Sequence, residues 1–290
     1  PPNQITNLTT PIPSHVATPR PKQPYTDQAN LGFAKTLGKD YAIEVDAVYA
    51  RGRDIGTRPA LNRRINGGAR RFAGILPQVG SASWRVDLMG GHSHYKGINF
   101  TAKKRWDGKL QMLVSYTLSE AKSSASLRAV DEFGEYDPIN QFTPFGDPEN
   151  PTRSDYRHRV TASGVWSPGY GVTIAPIFRY KSAQAFNIIT GTDDNRDGTN
   201  RDLPPGVKTL NSGRGADFKQ LDLRVAKRFR LGGRTNFEVI GEGFNLTNAI
   251  NPGAYVASMT SSSFGQPTAF AGDFQRGEQR IFQLGARLEF

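Results

Sequence analysis

Apolar and polar residues alternate along most of this chain, and the last eleven residues show the pattern most clearly. Side chains of a β-strand point to opposite faces with period two. One face of residues 280–290 therefore carries Phe282, Leu284, Ala286, Leu288 and Phe290, and the other carries Gln283, Gly285, Arg287 and Glu289. A strand of this kind lies between an apolar and a polar environment, which fits either a soluble β-sandwich or a membrane protein.

The same alternation predicts about nine strands joined as hairpins. The clearest hairpin turns at Asp107 and Gly108, a pair that favours a two-residue turn with positive φ at both positions. Further short turns are predicted at 38–40, 167–169 and 232–233. Two glycines interrupt a later strand and predict a bulge or kink at 241–243.

The lengths of the strands and connections indicate a membrane β-barrel. The predicted strands have roughly 9–12 residues, which suits the ~9–11 of a tilted membrane-crossing strand better than the ~5–6 of soluble strands. Every second connection is short, and the others are long: 51–93, 120–156, about 181–215 and 247–279. Such alternation is typical of outer-membrane barrels, with tight periplasmic turns and long external loops. The predicted fold is all-β, the C-terminal portion of an antiparallel transmembrane β-barrel with a periplasmic C-terminus.

Composition agrees with this prediction and removes other classes of protein. Only 37% of the 290 residues are hydrophobic, and no run reaches the ~20 apolar residues of a membrane helix. Without cysteine there is neither a disulfide framework nor a thiolate metal site. The net charge of +11 comes from scattered residues without a nucleic-acid-binding motif, so no nucleic-acid partner is expected.

The N-terminal residues look like a connection into the barrel. The chain starts Pro-Pro-Asn-Gln without a Met or the apolar core of a signal peptide, so we expect a mature chain or a fragment. Residues 1–28 are rich in Pro, Thr and Asn and are predicted to be a loop or linker, with the barrel at 29–290.

Aromatic and charged residues fit the two sides of a barrel wall. Aromatic side chains near strand ends suit the girdles at the two membrane interfaces, although aromatics are common in all strands: Tyr41, Tyr49, Trp106, Tyr116, Trp166, Tyr180 and Phe229. The charged residues of the strands are predicted to face the lumen, where they can pair: Glu44, Asp46, Asp222 and Glu242 with Arg159, Arg224 and Arg287.

One loop has part of the ligand pattern of a calcium site. Asp193, Asn195 and Asp197 have the spacing of the first oxygen ligands of a Ca²⁺ loop, and Gly198 suits its sharp turn. A complete EF-hand is excluded because the twelfth position is Pro204 rather than Glu. Either a looser Ca²⁺ site, completed by Asp202 or backbone carbonyls, or a solvated loop of Asx-turns fits this sequence.

No residue pattern indicates an enzyme. His92 and His94 share one side of a strand, and we interpret them as polar residues at its outer end rather than as metal ligands. His158 is expected to be a strand-end or loop residue. Motifs of hydrolases, phosphate-binding loops and zinc peptidases do not occur, so no catalytic residue is expected.

Residues 25–290 resemble the C-terminal part of Oar-like TonB-dependent outer-membrane receptors, the type with an N-terminal carboxypeptidase-regulatory-like domain. The order and spacing of several segments carry this resemblance: Tyr-Lys-Gly-Ile-Asn-Phe-Thr-Ala-Lys-Lys-Arg-Trp at 95–106, Ser-Tyr-Thr-Leu-Ser at 115–119, Asp-Tyr-Arg-His-Arg at 155–159, Thr-Gly-Thr-Asp-Asp-Asn-Arg-Asp-Gly at 190–198, Asn-Ser-Gly-Arg-Gly at 211–215, Leu-Asp-Leu-Arg at 221–224 and Glu-Gly-Phe-Asn-Leu-Thr-Asn at 242–248.

The resemblance implies a 22-stranded barrel with an internal plug, energised through TonB. About nine strands do not close such a barrel, so we expect this chain to be its C-terminal fragment, without plug, TonB box or earlier strands. The expected partners are outer-membrane lipid, the TonB system acting through the plug, an unknown ligand and the barrel assembly machinery. In the family that machinery reads a terminal strand ending in an aromatic, here Phe282, Leu284, Leu288 and Phe290.

The predicted function is uptake of a large or scarce ligand by a TonB-dependent receptor in the bacterial outer membrane. No cofactor is expected apart from Ca²⁺ in the 193–202 loop. Two alternatives remain at this point: a structural or adhesive outer-membrane barrel without active uptake, and a soluble β-sandwich that acts as a binding module.

Overall fold

The computed structural model describes residues 15–17, 22–57, 62, 64, 66–70, 85–124, 149–198, 200–270 and 279–290. These residues include no helix that is long and apolar enough to cross a membrane. The long strands are β1 (Tyr25–Leu37), β2 (Tyr41–Thr57), β3 (Arg85–Lys104), β4 (Leu110–Ser123), β5 (His158–Gly169), β6 (Val172–Lys181), β7 (Phe218–Gly232), β8 (Thr235–Phe244) and β9 (Ile281–Glu289).

The nine long strands form one sheet in which each strand pairs antiparallel with its neighbours in sequence. This confirms the predicted strand number and pairing. Shorter strands lie in the long connections. His15–Ala17 pairs parallel with β3, and the others pair antiparallel: Asn150–Pro151 with β4, Ala185–Phe186 with Gly213–Arg214, and Pro252–Tyr255 with Pro267–Phe270.

Short and long connections alternate as predicted. The strand pairs β1–β2, β3–β4, β5–β6 and β7–β8 are joined by short turns, and the long connections lie at the opposite end of the sheet. Glu289 pairs with Asn236 beside the β7–β8 turn, so the chain ends at the short-turn end. In an outer-membrane barrel this end is periplasmic, and the long connections face outward.

The predicted two-residue turn at Asp107 and Gly108 is wrong. Residues 105–109 separate the two strands, and Gly108 has a φ of 93° whereas Asp107 has no positive φ. The Asp107 carboxylate instead accepts hydrogen bonds from the backbone N–H groups of Lys109 (2.9 Å) and Leu110 (2.8 Å). An Asp side chain that satisfies nearby backbone donors stabilises a wider turn without a left-handed Asp.

Two other turns lie slightly later than predicted. Strand β5 continues through 167–169, and Tyr170 and Gly171 form the turn with φ values of 54° and 72°. Its pairing with β6 shifts between Trp166 and Gly169, an irregularity that accommodates Pro168, which has no N–H to donate. Strand β7 ends at Gly232, so residues 233–234 make the next turn.

The predicted bulge at 241–243 is also wrong, because the pairing of β8 with both neighbours runs through these residues without a shift. The absence of a side chain at Gly243 provides space instead. A Cβ atom there would lie 2.5 Å from Leu246 Cδ2 and 3.1 Å from Phe282 Cε1. The glycine thus allows two large apolar side chains to cover the strand.

One face of the sheet is apolar and uncovered. Leu31 is 77% exposed and Leu284 is 88% exposed. Few apolar side chains of the described residues are buried: Ala185, Phe186, Leu210, Ala226 and Ala269. A soluble sandwich would bury this face against a second sheet, so that alternative is wrong. The fold is that of a transmembrane β-barrel wall, whose apolar face contacts lipid.

Strands β2 and β3 extend further outward than predicted. They have 17 and 20 residues, and they include 51–57 and 85–93 of the 51–93 segment predicted as a connection. Outside the lipid both faces of a strand meet water, so the apolar alternation ends while the backbone pairing continues. At the other side of the sheet, β1 begins at Tyr25, inside the predicted 1–28 linker. Residues 1–14 and 18–21 of that linker lie outside the described residues.

The sheet has two open edges in the described part of the chain. Strand β1 pairs only with β2, and β9 pairs only with β8. Every residue of β1 is exposed. Unpaired edges expose rows of backbone donors and acceptors, which a closed barrel satisfies by adding further strands.

Candidate functional site

The polar face of the sheet carries rows of charged side chains that cross several strands. Arg224 on β7 and Glu242 on β8 are directly opposite each other, with Nη1 and Oε1 3.4 Å apart. Glu242 also accepts a hydrogen bond from Gln283 on β9. Both residues therefore lie on the polar face, as predicted, and the structure identifies them as partners.

A second row lies nearer the short turns. Glu238 is opposite both Arg228 and Arg287, and its Oε2 lies 3.4 Å from Arg287 Nη2. Glu289 lies 3.2 Å from Arg287 and 3.5 Å from Arg228. Arg287 and Glu289 were predicted to face the lumen, but Glu238 was not. The alternation of side chains could have identified it, because Glu238 lies four residues before Glu242 on the same strand and therefore on the same face.

The polar face continues across the other strands with the same kind of pairing. Lys103 on β3 donates to Glu44 on β2 over 2.7 Å. Asp222 on β7 pairs with Arg179 on β6 at 2.9 Å and accepts the backbone N–H of Asn245 at 2.9 Å. These contacts place the predicted Glu44 and Asp222 on the polar face and give each a partner that the sequence did not indicate.

Arg159 and Lys181 occupy the outward end of this face. They are directly opposite each other on β5 and β6, and Phe218 follows Lys181 in the same row on β7. The Tyr156 ring lies 5.0 Å from Arg159 Cζ and 5.5 Å from Lys181 Nζ, and Lys181 Nζ lies 5.3 Å from the Phe218 ring. Arg159 donates to the Ser154 carbonyl at 3.1 Å, but its buried Nε has no hydrogen-bond partner.

An ion pair ties two outward connections together. Asp155 is 2% exposed and lies 2.9 Å from Arg214 Nη2, while Arg214 Nη1 donates to the Asp155 carbonyl at 3.1 Å. The other carboxylate oxygen of Asp155 accepts the backbone N–H of Ala121 on β4 at 2.9 Å. Both residues belong to segments that carry the family resemblance, but their pairing across the chain was not predicted.

Asparagine side chains add hydrogen bonds between the same two outward connections. Asn150 accepts the backbone N–H of Leu210 at 2.8 Å, and Asn211 donates to the Pro151 carbonyl at 2.8 Å. Asn211 has a φ of 53°, a conformation that Asn tolerates better than most residues. The connections after β4 and β6 are therefore hydrogen-bonded to each other above the barrel wall.

The 193–202 loop is closed by its own acidic side chains. Asp193 accepts the backbone N–H groups of Asp197 (2.8 Å) and Gly198 (3.0 Å), and Asn195 also accepts from Asp197 at 2.8 Å. Gly198 has a φ of 96°, as expected for the predicted sharp turn. These contacts are the Asx-turn arrangement that the sequence offered as the alternative to a calcium site.

Asp202 closes the other side of the same loop. Its Oδ2 accepts the backbone N–H of Asn195 at 2.9 Å. Burial raises the pKa of Asp202, and the nearby Asp197 and Asp193 carboxylates raise it further. Within the described ranges, no group of three or more His, Cys, Asp or Glu side chains is arranged to hold a metal ion. Calcium binding by Asp193, Asn195 and Asp197 stays a prediction.

His92 and His94 lie inside β3, seven and nine residues from its first residue, so the expectation that they end the strand is wrong. His158 lies at a strand end, as expected. His92 Nε2 lies 3.5 Å from Glu149, and His94 Nε2 lies 3.4 Å from Glu120. His94 also contacts Glu149 through Nδ1. His158 is the first residue of β5, and its Nδ1 lies 2.9 Å from the Tyr116 hydroxyl.

Aromatic residues of the apolar face lie at two levels. Those near the short turns are Tyr41, Trp106, Trp166 and Phe229, and those further outward are Tyr49, Tyr116 and Tyr180. The eight steps from Tyr41 to Tyr49 span about 27 Å along a strand, or about 21 Å for a strand tilted by ~40°. This height is close to the ~25 Å lipid-facing band of a barrel, and it supports the girdle interpretation.

The terminal strand has the two predicted faces. The residues expected to form the assembly signal lie exposed on the apolar side: Phe282, Leu284, Leu288 and Phe290. Gln283 and Arg287 lie on the polar side, where they contact β8. Recognition of this strand by the assembly machinery stays a prediction.

Solved structures of outer-membrane proteins share this fold at low sequence identity. The outer membrane transporter YddB from Escherichia coli matches 92% of this chain with a TM-score of 0.56 at 13% identity. The FrpB iron transporter from Neisseria meningitidis matches 94% with a TM-score of 0.52 at 15% identity, and the siderophore receptor PiuA from Acinetobacter baumannii matches 91% with a TM-score of 0.51 at 10% identity. The match covers 32%, 32% and 28% of those chains, so this chain spans about a third of their length.

The family comparison covers most of the chain. The comparison with curated proteins found no match to this chain. The family model described as an outer membrane beta barrel domain matches residues 1–209 and 199–283. The two-faced antiparallel sheet agrees with that match, and it places the protein in the outer membrane. The chain belongs to the outer membrane beta barrel domain family.

Proposed function

We propose that this chain is the C-terminal part of the barrel of a TonB-dependent receptor that takes up a large or scarce ligand. The strongest support for the proposal is the architecture of the sheet. Nine strands form a barrel wall whose polar face is built from paired charges and whose two edges are open in the described residues. Such a wall suits a large barrel completed by earlier strands.

The solved structures support the transport part of the proposal. YddB is an outer membrane transporter, FrpB is an iron transporter and PiuA is a siderophore receptor. Their sequence identity to this chain is low, so we do not assign their ligands to it. The Oar-like subtype rests on the sequence segments quoted above, among which Asp155 and Arg214 are joined by an ion pair.

Each surface of the wall then has a partner. The apolar face contacts outer-membrane lipid, and the rows of charges on the polar face meet the plug that fills the lumen. The plug connects the receptor to TonB and its energy supply. The terminal aromatic, Phe290, is read by the barrel assembly machinery. The outward connections, which an ion pair and hydrogen bonds hold together, capture the ligand.

Binding to TonB separates a receptor from a structural or adhesive barrel. Full-length protein in detergent is titrated with the purified periplasmic domain of TonB, and a version lacking only the segment before the plug is the control. We expect saturable binding that the control loses. Absence of binding by the full-length protein contradicts active transport and favours the structural role. Deletion strains of the receptor and of TonB should also fail to grow on the same nutrient.

A further inference from the structure

Most charges on the polar face of the described strands have a partner of opposite charge. Lys103 pairs with Glu44, Arg224 with Glu242 and Arg287 with Glu238. In each case the partners come from adjacent strands and lie within 3.4 Å. A charge on this face without a partner is therefore a departure from the way the wall is built.

Arg159 and Lys181 are two such charges on neighbouring strands. They are directly opposite each other on β5 and β6, and Arg179, another cation, is two residues before Lys181. Like charges directly opposite in an antiparallel pair repel each other. Among the residues that the structure describes, neither Arg159 nor Lys181 forms an ion pair. The buried Nε of Arg159 is a donor without an acceptor.

The neighbouring carboxylates are already engaged. Asp222 pairs with Arg179 at 2.9 Å. Asp155 pairs with Arg214 at 2.9 Å, and its second oxygen accepts a backbone N–H. Asp217 accepts the Tyr180 hydroxyl at 3.0 Å and the Ala183 N–H at 2.9 Å. These three carboxylates are thus engaged by other groups, and none of them forms an ion pair with Arg159 or Lys181.

The location suits recognition of a group that arrives from outside. Arg159, Lys181 and Phe218 lie at the ends of β5, β6 and β7 that are furthest from the short turns, hence at the outward mouth of the lumen. The rings of Tyr156 and Phe218 flank the two cations. This aromatic contact holds the cationic side chains in place without neutralising them.

We propose that Arg159 and Lys181 form an anion-binding site for a carboxylate or phosphate group at the outward mouth of the lumen. Guanidinium and ammonium groups bind these anions through charge-assisted hydrogen bonds, and an anion between the two cations relieves their repulsion. The inference rests on the proposed receptor role, which places this face in the lumen. The anion comes either from the external ligand or from an acidic side chain elsewhere in the full-length protein.

Two measurements on the full-length receptor in detergent test the site. The first is binding of inorganic tripolyphosphate, with the neutral trisaccharide maltotriose as the control probe. The second is the thermal unfolding midpoint without any probe. Both are made on the wild type, Arg159→Gln and Lys181→Gln. Lys103→Gln is the matched control, because Lys103 lies on the same face and already has a carboxylate partner.

If the ligand supplies the anion, the wild type binds tripolyphosphate and not maltotriose. Each variant then weakens binding at least fivefold, while Lys103→Gln stays within twofold of the wild type. Lys181→Gln also raises the unfolding midpoint, because it removes the repulsion from Arg159. If the protein supplies the anion, the wild type does not bind the probe, and both variants lower the midpoint more than Lys103→Gln does.

The site is refuted if Arg159→Gln and Lys181→Gln match Lys103→Gln in both measurements. That result would leave the receptor role intact, because TonB binding is measured separately and does not depend on these side chains. Loss of TonB binding with a retained anion site would instead contradict the receptor role alone.

Discussion

The carboxylate of Asp155 lies 2.9 Å from the guanidinium of Arg214, and this contact joins the connections after β4 and β6. Asp155 is almost completely buried, whereas Arg214 is partly exposed. Removal of the arginine therefore leaves a buried carboxylate with only the Ala121 N–H as a partner. The outward connections are held together by a contact that a single substitution breaks.

Arg214→Ala is expected to loosen these connections without disturbing the barrel wall. A buried polar group that loses its partner costs about 1–3 kcal/mol, and a charged group costs more. Because Asp155 keeps the Ala121 N–H and Arg214 is partly exposed, we expect a loss within that range of about 1–3 kcal/mol. Limited proteolysis of intact cells should cleave the outward connections faster in this variant. Arg234→Ala, in the exposed β7–β8 turn, is the control and should leave the cleavage rate unchanged.

Glu242→Ala is expected to destabilise the polar face. Glu242 has partners on both sides, Arg224 and Gln283, and both lose their acceptor. We expect a loss of about 0.5–2 kcal/mol in the free energy of unfolding, in the range for partly exposed ion pairs and hydrogen bonds. Glu242→Gln keeps an acceptor for Gln283 and should lose less. Equal stability of the alanine variant and the wild type in heated detergent gels would show that the row contributes nothing.

Two neighbouring positions on β9 test which face contacts lipid. Leu284 lies on the apolar face, and an arginine near the lipid midplane costs about 2–4 kcal/mol. Gln283 lies on the polar face, where an arginine meets Glu242. Leu284→Arg should therefore reduce insertion into lipid vesicles strongly, and Gln283→Arg should not. The opposite ranking would mean that the two faces are reversed.

The β3–β4 turn is expected to be sensitive to acid. The Lys104 ammonium, and then the N–H groups of Leu110 and Lys109, lower the pKa of Asp107 well below its usual range. Because the folded-state pKa is depressed, the stabilisation is present above the unfolded-state pKa of about 4 and is lost as the pH falls below it. Asp107→Asn should thus be less stable than the wild type at pH 7, with a difference that shrinks toward pH 3. A constant difference across this range would exclude the ionised carboxylate as the cause.

The last residue is expected to govern assembly. Phe290 is 95% exposed at the end of β9, so its replacement removes no buried contact. Phe290→Ser in the full-length protein should nevertheless lower the amount in the outer membrane. Phe264→Ser, in an outward connection, is the control because Phe264 is also exposed. Equal outer-membrane levels of both variants would contradict an assembly signal in β9.

Alternation of side chains predicted the part of the fold that lies in lipid. It placed Leu284 and Arg287 on opposite faces and put Arg224 and Glu242 on the same face, because period two determines which side chains of a strand share a face. The alternation of apolar and polar residues does not reveal a strand where both of its faces meet water. The outer parts of β2 and β3 were therefore predicted as connections, although their backbone pairing continues.

Contacts between distant segments could not be predicted from the sequence. Asp155 and Arg214 each lie in a short motif, but nothing in a single sequence links residues so far apart. The turn at Asp107 was predicted from its dipeptide alone, whereas hydrogen bonds of its side chain determine the observed geometry. The unpaired state of Arg159 and Lys181 likewise depends on which carboxylates their neighbours engage, which only the fold determines.

An electron cryomicroscopy structure of the full-length protein would show directly whether these nine strands are part of a larger barrel with a plug. We expect one closed barrel in which β1–β9 are the C-terminal strands, β9 pairs with the first strand of the barrel, and β1 pairs with a strand that precedes it. The rows of Arg224 and Glu238 should face a plug inside the lumen. A barrel that closes between β1 and β9 without further strands, or a lumen without a plug, would contradict the account.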